Sequence, residues 1–254
     1  MSKSLVRAVA LLDCFLEKPE MTINELTEMA NMPKTTVFRL ASSLVESGLL
    51  VKHRKTSHDV TYKMSLKMVT YGKHVSEQLQ LNKISLPYMK KLNEKLDELV
   101  YINILEGDEA VYVETVDSSK PLRLIVKVGA RSPLYAGSAP KLLLSSKTDA
   151  EINEYLDRVK LERFTENTLL NDYDIKVEID KIRRNGYSIS YSEHFQDTVG
   201  LSYPIYDDES NIIAAIGVSF PIIDHTKEYE EYVRLNLEDT ARKIWSELGY
   251  RGYV

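Results

Sequence analysis

Six residues near the amino end, Lys34, Thr35, Thr36, Phe38, Arg39 and Ser42, gather two cations, three hydroxyls and one aromatic ring in a short stretch. That mixture suits contact with double-stranded DNA. Arginine and hydroxyl groups hydrogen-bond base edges and phosphates, and an apolar ring can touch a thymine methyl. To act together the six must stand outward on one helix, and the residues between them provide for it. Val37, Leu40, Ala41 and Leu44 recur at i, i+3, i+4 and i+7 and should pack inward.

A second helix is expected just before. Thr22 can cap its free N–H groups, with Glu25 three residues on completing a capping box, and Ile23, Leu26 and Ala30 fall on one face. Asn31-Met32-Pro33 separates the two helices. Pro33 suits the first position of the next one, where its missing N–H costs nothing, and Gly48 ends it. Two short helices in this order read as a helix-turn-helix whose second member lies in the major groove. Residues 49–64 follow as two short strands around His53, Arg54, Lys55, Thr56, Ser57 and His58. This basic hairpin is placed as the wing of a winged helix, with Arg54 and Lys55 set to meet phosphates.

The net charge of −5 over 254 residues argues against DNA binding until it is counted by region. Residues 1–80 hold 11 Lys and Arg against 8 Asp and Glu, a balance of +3, and the rest hold 22 against 30, or −8. Positive charge sits where the helix-turn-helix is. Cys14 is the only cysteine, which excludes an internal disulfide and a zinc finger. It falls in an apolar helix over 4–17, as a small core residue. That helix has two apolar stripes, one of Val6, Val9, Leu12 and Leu16 and one of Ala8, Leu11 and Phe15. One stripe can pack on the helix-turn-helix; the other needs the same helix of a second subunit, or the wing. No signal peptide or membrane span is read, so the expected location is cytoplasmic, with no membrane partner.

Residues 65–80 are helix-compatible and interrupted only by Gly72, a linker able to transmit rotation better than a Gly/Ser tether. Beyond them the pattern gives a helix over 84–96, strands over 99–105 and 110–116 around a turn at 106–109, and a third strand over 122–128. Helices over 138–145, 149–156 and 171–184 follow, then strands over 201–206 and 212–220 and a closing helix over 227–248. The chain is therefore read as α+β: a winged helix-turn-helix over 1–64, a linker helix over 65–81 and an α/β domain over 82–254.

With its parts in this order the chain resembles the IclR family of bacterial transcriptional regulators over essentially its full length. The segments that carry the resemblance are MPKTTVFRLASSLVESGLL, then GARSPLYAGSAPK from Gly129 to Lys141, and finally the stretch from RNGY at Arg184 to IIAAIGVS ending at Ser219. The resemblance implies a GAF-like C-terminal domain that binds a small metabolite, often an organic acid. It also implies a homo-oligomer, dimer or dimer of dimers, reading a palindromic operator. No cofactor is expected beyond that effector, whose identity the sequence leaves open.

Gly137, Ser138 and Ala139 lie at the start of a predicted helix, where free N–H groups and the helix dipole could receive a carboxylate. Equally, small residues there could simply let the helix pack closely on a sheet. The resemblance implies an acidic position at Glu193 and an effector-facing hydroxyl at Ser219, which alternates with Val218 and Phe220. Where small-acid binders of the family carry an Asp, a Cys and a further Ser, this chain has Ser190, Gly200 and Gly217. These replacements are expected to enlarge the pocket and change its polarity, toward a metabolite other than glyoxylate or pyruvate. Tyr101, Asn103 and Arg123 are candidate lining groups, with a surface strand cation as the alternative for Arg123.

The rival reading is a metal- or acid/base-dependent enzyme fused to a helical module that does not bind DNA; a plain interaction module is a third. The sequence holds no nucleophile elbow, phosphate loop or metal-spaced ligand set. Only Glu193, His194 and His225 could form such a set, and adjacent strand residues point to opposite faces. No catalytic and no metal-binding residues are expected.

Overall fold

The computed structural model describes the backbone of residues 3–54, 60–78 and 80–250, and the side chains of the same spans apart from 73–78 and 80. It divides into two compact units, residues 1–78 and 79–254. No described helix is long and apolar enough to cross a membrane.

In the first unit, α1 (Lys3–Glu17) leads through β1 (Glu20–Thr22) into α2 (Ile23–Met29) and α3 (Lys34–Glu46). The hairpin β2 (Leu50–Arg54) and β3 (Val60–Met64) and the helix α4 (Lys67–Gln78) follow. Thr22 Oγ1 accepts from Glu25 N at 3.3 Å while Glu25 Oε2 accepts from Thr22 N at 2.7 Å, so the capping box starts α2 as its spacing predicts. Asn31 makes the turn with a left-handed φ of 47°. Pro33 stands one place earlier than expected, at the N-cap of α3, where its carbonyl accepts from Thr36 N and Val37 N. Val37, Leu40, Ala41 and Leu44 are buried against Leu11, Phe15 and Leu26. β1, which the periodicity did not reveal, pairs with β3 and makes the wing a three-stranded sheet in the order β1-β3-β2. Of the two stripes on α1, the one with Leu11 and Phe15 enters this core. Val6, Val9 and Leu16 of the other remain about half exposed or more, at 53%, 49% and 70%. Cys14 is buried and its Sγ donates to Ala10 O, as a small core residue would.

The second unit starts with α5 (Gln80–Leu96), then β4 (Leu99–Glu106), β5 (Glu109–Val116) and β6 (Arg131–Pro133). Three helices follow, α6 (Ser138–Ser145), α7 (Asp149–Arg158) and α8 (Asp172–Asn185). Then come β7 (Ser188–Tyr191), β8 (Thr198–Tyr206), β9 (Ile212–Pro221) and the long α9 (Lys227–Glu247). The strands form one antiparallel sheet in the order β6-β5-β4-β9-β8-β7. Helices cover both of its faces. On β4, Leu99 and Tyr101 join the core beneath α6, α7 and α8, whereas Val100 and Ile102 join the core beneath α5 and α9. A sheet buried on both sides needs continuous apolar strands, which accounts for IIAAIGVSF in β9.

The strand expected over 122–128 is absent. Its burial does not alternate as a strand's would: Leu122, Ile125 and Val128 are exposed, while Leu124 and Val126 pack on the α6-side core. The reason lies in a turn: β6 pairs with β5 over Glu109–Val111, the ladder ends at Tyr112 with Gly129 N to Tyr112 O and Tyr112 N to Ala130 O, and a turn at Gly129, φ 89°, closed by Ala130 N to Lys127 O, precedes β6.

Candidate functional site

Two sites emerge, one in each unit. In the first, α3 presents Lys34, Thr35, Phe38, Arg39 and Ser42 to solvent, with Thr36 half-buried, while its opposite face is sealed into the core. An exposed phenylalanine, 53% accessible on a helix whose other large apolar residues are inside, is unfavourable in water and useful against a base edge. β2 is an edge strand on which Lys52, His53 and Arg54 are exposed. Lys55, the other cation assigned to the wing tip, lies outside the described residues, as do Thr56, Ser57 and His58. Helix, hairpin and cations thus belong to one unit that can lay α3 in a major groove and β2 against phosphates.

In the second unit a cavity of about 20 Å³, room for roughly one water, lies between the start of α6 and the sheet. Its walls are rich in hydroxyls. Ser138 comes from α6, Ser190 from β7, Thr198 from β8, Ser219 from β9, and the phenols are Tyr101 and Tyr112. His194 and Phe195 close it from the loop between β7 and β8. Gly137 caps α6 with φ at 101°, a left-handed backbone that favours glycine. Tyr101 Oη lies 3.2 Å from Ser138 Oγ, which lies 2.9 Å from Ser202 Oγ, so a chain of hydroxyls ties β4, α6 and β8 together.

Behind the cavity, Lys141 Nζ, with no exposed surface, donates to Glu193 Oε1 at 2.6 Å and to Ile189 O at 3.2 Å. Glu193 Oε2 also accepts from Gly137 N at 3.2 Å, so an internal carboxylate already takes one N–H at the start of α6. Burial pushes the Glu193 carboxyl above its usual range despite Lys141. Burial holds the His194 imidazole below its usual value and therefore neutral, while its Nδ1 meets Ser132 Oγ at 3.4 Å. The same cause raises the Tyr112 phenol. The loop carrying these groups turns at Ser192 and Asp197, with left-handed φ values of 52° and 57°. Thr168 Oγ1 pins it by donating to Glu193 O at 2.8 Å.

Comparison with known proteins places this geometry. Residues 4–54 match the IclR helix-turn-helix domain, and residues 73–246 match the family described as bacterial transcriptional regulator IclR C-terminal. The chain belongs to the IclR family. It is 33% identical over 249 residues to the HTH-type transcriptional regulator KipR of Bacillus subtilis, covering 98% of each chain. The IclR of Thermotoga maritima has a similar structure, with a TM-score of 0.81 at 25% identity, over 98% of this chain and 100% of that one. An IclR homolog from Microbacterium hydrocarbonoxydans, crystallised with 4-hydroxybenzoate, shares the fold at 21% identity and a TM-score of 0.83, over 97% and 99% of the two chains.

As an IclR-family member, this chain binds DNA through its winged helix, and its structure sorts the effector residues expected from sequence. Gly137, Ser138, Ser190, Gly200, Ser219 and Tyr101 line the cavity. Ala139 instead faces the helix–sheet core, and Glu193 stands behind Gly137 as the partner of Lys141. Arg123 is exposed on the irregular segment, where its Nη1 donates to Lys120 O; it does not line the cavity but lines an adjoining pocket that shares Thr198 with it. Asn103 is fully buried but does not reach the cavity wall.

The expected enlargement at Gly200 and Gly217 does not occur. A Cβ on Gly217 would stand 2.4 Å from Tyr101 Cζ, because the phenol ring fills the space the missing side chain leaves; at Gly200 a Cβ would meet Ser138 Oγ at 2.8 Å. Tyr112, Ala136, Pro140, Phe195 and Thr198 also line the cavity, as does His194, which the sequence offered only as a member of a rival metal or acid/base set. The signal for Tyr112 was available in its alternation on β5, whereas His194 and Phe195 lie on a loop that no periodicity describes. Glu193, His194 and His225 do not form a metal-binding group: His225 Nε2 pairs with Glu230 at 2.7 Å, and no cluster of three such ligands exists among the described residues.

Proposed function

We propose that this IclR-family regulator changes its operator affinity when a small metabolite occupies the cavity under α6. The observation that carries this is the set of hydroxyls converging on one enclosed space from α6, β4, β7, β8 and β9. Recognition of a small polar molecule needs such convergent donors and acceptors. As it stands the cavity holds about one water, so the metabolite must displace a wall side chain to enter; a protein of related fold has been crystallised with the one-ring acid 4-hydroxybenzoate. In this reading the chain works in the cytoplasm without a cofactor and catalyses nothing.

It acts as a dimer or a dimer of dimers. Two α3 helices must sit roughly 34 Å apart to read successive major grooves. The half-exposed stripe of Val6, Val9 and Leu16 on α1 offers the contact surface. An effector that prefers one spacing of the two heads shifts operator affinity by its differential affinity, typically about 1 to 3 kcal/mol.

The test is fluorescence anisotropy of the full chain on DNA upstream of its own gene, across a salt series and a metabolite panel. Sequence-selective, salt-dependent binding that one metabolite alters is expected. The Ser190→Ala/Ser219→Ala variant should need about tenfold more of that metabolite for half response, the loss of one to two hydrogen bonds. A response unchanged in that variant sinks the cavity as the effector site.

A further inference from the structure

Asn103 has no exposed surface, and neither polar atom of its side chain has a hydrogen-bond partner. Among the described residues it is the one buried side chain with two polar atoms left open, a donor nitrogen and an acceptor oxygen; the others, Asn82, Ser85 and Ser188, leave one each. Buried amides are almost always satisfied, so an open one points to a partner that arrives from outside the chain.

Its neighbours say where that partner would enter. The β4–β9 ladder runs unbroken from Leu99 to Asn103, so Asn103 and Tyr101 lie on the same face of β4, two residues apart. Across the β4–β5 ladder Asn103 is paired with Tyr112. Tyr101 and Tyr112 both line the cavity, with ring centroids 5.2 Å apart. Tyr101 occupies the space over Gly217, and one hydroxyl contact, to Ser138 at 3.2 Å, tethers its tip.

We propose that Asn103 reads the ligand in an inner subsite for a ring-sized carboxamide, opened when the Tyr101 ring leaves its place over Gly217. This rests on the cavity being the effector site. The vacated space is that of a phenol, so it takes one six-membered ring, which the remaining Tyr112 can face. The Asn103 amide offers an N–H and a C=O side by side. Its complement is a group carrying both on one carbon, as a carboxamide does, whereas a carboxylate sets lone pairs against Asn103 Oδ1. No Lys or Arg lines the cavity, and the nearby Lys141 is held by Glu193, which favours a neutral ligand over an anion.

The experiment is calorimetry and thermal shift on the full chain with benzamide, benzoate and toluene as probes. Benzamide is expected to bind at least about tenfold more tightly than the other two. Tyr101→Ala should tighten it, because the ring no longer has to be displaced. Asn103→Leu, which keeps the branched four-atom side chain but removes its polar atoms, should weaken benzamide at least tenfold while raising the Tm of the unliganded protein by about 3 °C, since an unsatisfied amide is gone. A raised Tm with unchanged benzamide affinity would mean that Asn103 meets only water, and overturns the proposal. Failure of benzamide to bind both the wild type and Tyr101→Ala also overturns it. If Ser190→Ala/Ser219→Ala weakens benzamide and Asn103→Leu does not, the effector site stands and only the inner subsite falls. If neither variant matters, the ligand sits elsewhere and both readings fall.

Discussion

Lys141 and Glu193 form a buried ion pair, Nζ to Oε1 at 2.6 Å, that joins α6 to the loop carrying His194 and Phe195. One wall of the cavity is thereby fastened to another. Removing one partner strands a charge in the interior, at a cost of about 3 to 5 kcal/mol. Lys141→Met should therefore lower the urea midpoint strongly. Lys141→Met/Glu193→Leu should recover much of the loss, since Glu178, the other carboxylate on Lys141 at 3.4 Å, is part-exposed and keeps Lys181 as a partner. A double variant no more stable than Lys141→Met would show that the pair's packing, not its charge, matters.

On the DNA side, Arg39 and Arg54 should differ in kind. Arg39, exposed on α3, should cost about 1 to 3 kcal/mol of operator affinity when changed to Ala and should relax sequence preference at one position. Arg54, exposed on the β2 edge, should weaken all sequences alike and reduce the slope of log affinity against log salt by about 1. Titrations on operator and scrambled DNA at several salt concentrations separate the two.

Gly217→Ala should destabilise the protein by about 1 to 3 kcal/mol, the usual cost of overpacking, because the new methyl meets the Tyr101 ring. Combining it with Tyr101→Ala should cost less than the two single losses together. A double-mutant cycle in chemical denaturation reads that coupling directly; strict additivity would mean the two residues do not compete for the same space.

Stability should fall on mild acidification through His194. Its unfolded value lies near 6.5, and burial holds the folded value lower, so the unfolded chain binds the extra proton. The contribution is complete above about pH 6.5 and is lost over the interval below it, as pH falls toward the lower folded value. His194→Phe should flatten the Tm profile over that interval relative to the wild type; an unchanged slope would assign the acid sensitivity to other groups.

The α1 stripe predicts self-association. Val9→Asp places a carboxylate where Val6, Val9 and Leu16 are exposed and should weaken both the dimer and operator binding, as read by sedimentation and anisotropy. Unaltered sedimentation would exclude this stripe from the subunit contact.

How much of this was legible in the sequence follows from how local the cause was. The α2 capping box and the buried row Val37, Leu40, Ala41 and Leu44 follow from spacing alone. The same holds for α8, ended by Gly186 in the left-handed conformation. Residues 122–128 alternate as a strand does and yet form none, because strand formation depends on a partner edge, and the turn at Gly129 ends the ladder with β5 at Tyr112. The cavity was half visible. Ser138, Ser190 and Ser219 could be picked by type and position, but the fate of the space at Gly217 depended on Tyr101, which lies across the β4–β9 ladder and far away in the chain. Asn103 could be named as a candidate, while its lack of partners becomes evident only from the packing around it.

Thr22 is at once the last residue of β1, paired with Thr61 of β3, and the N-cap of α2. The wing and the helix-turn-helix therefore share a residue, and neither can be lifted out whole. A chimaera that transplants only the hairpin, or only the helices, from a relative would cut through this joint. Operator preference in such a reading head is inherited as one part and retuned one surface side chain at a time.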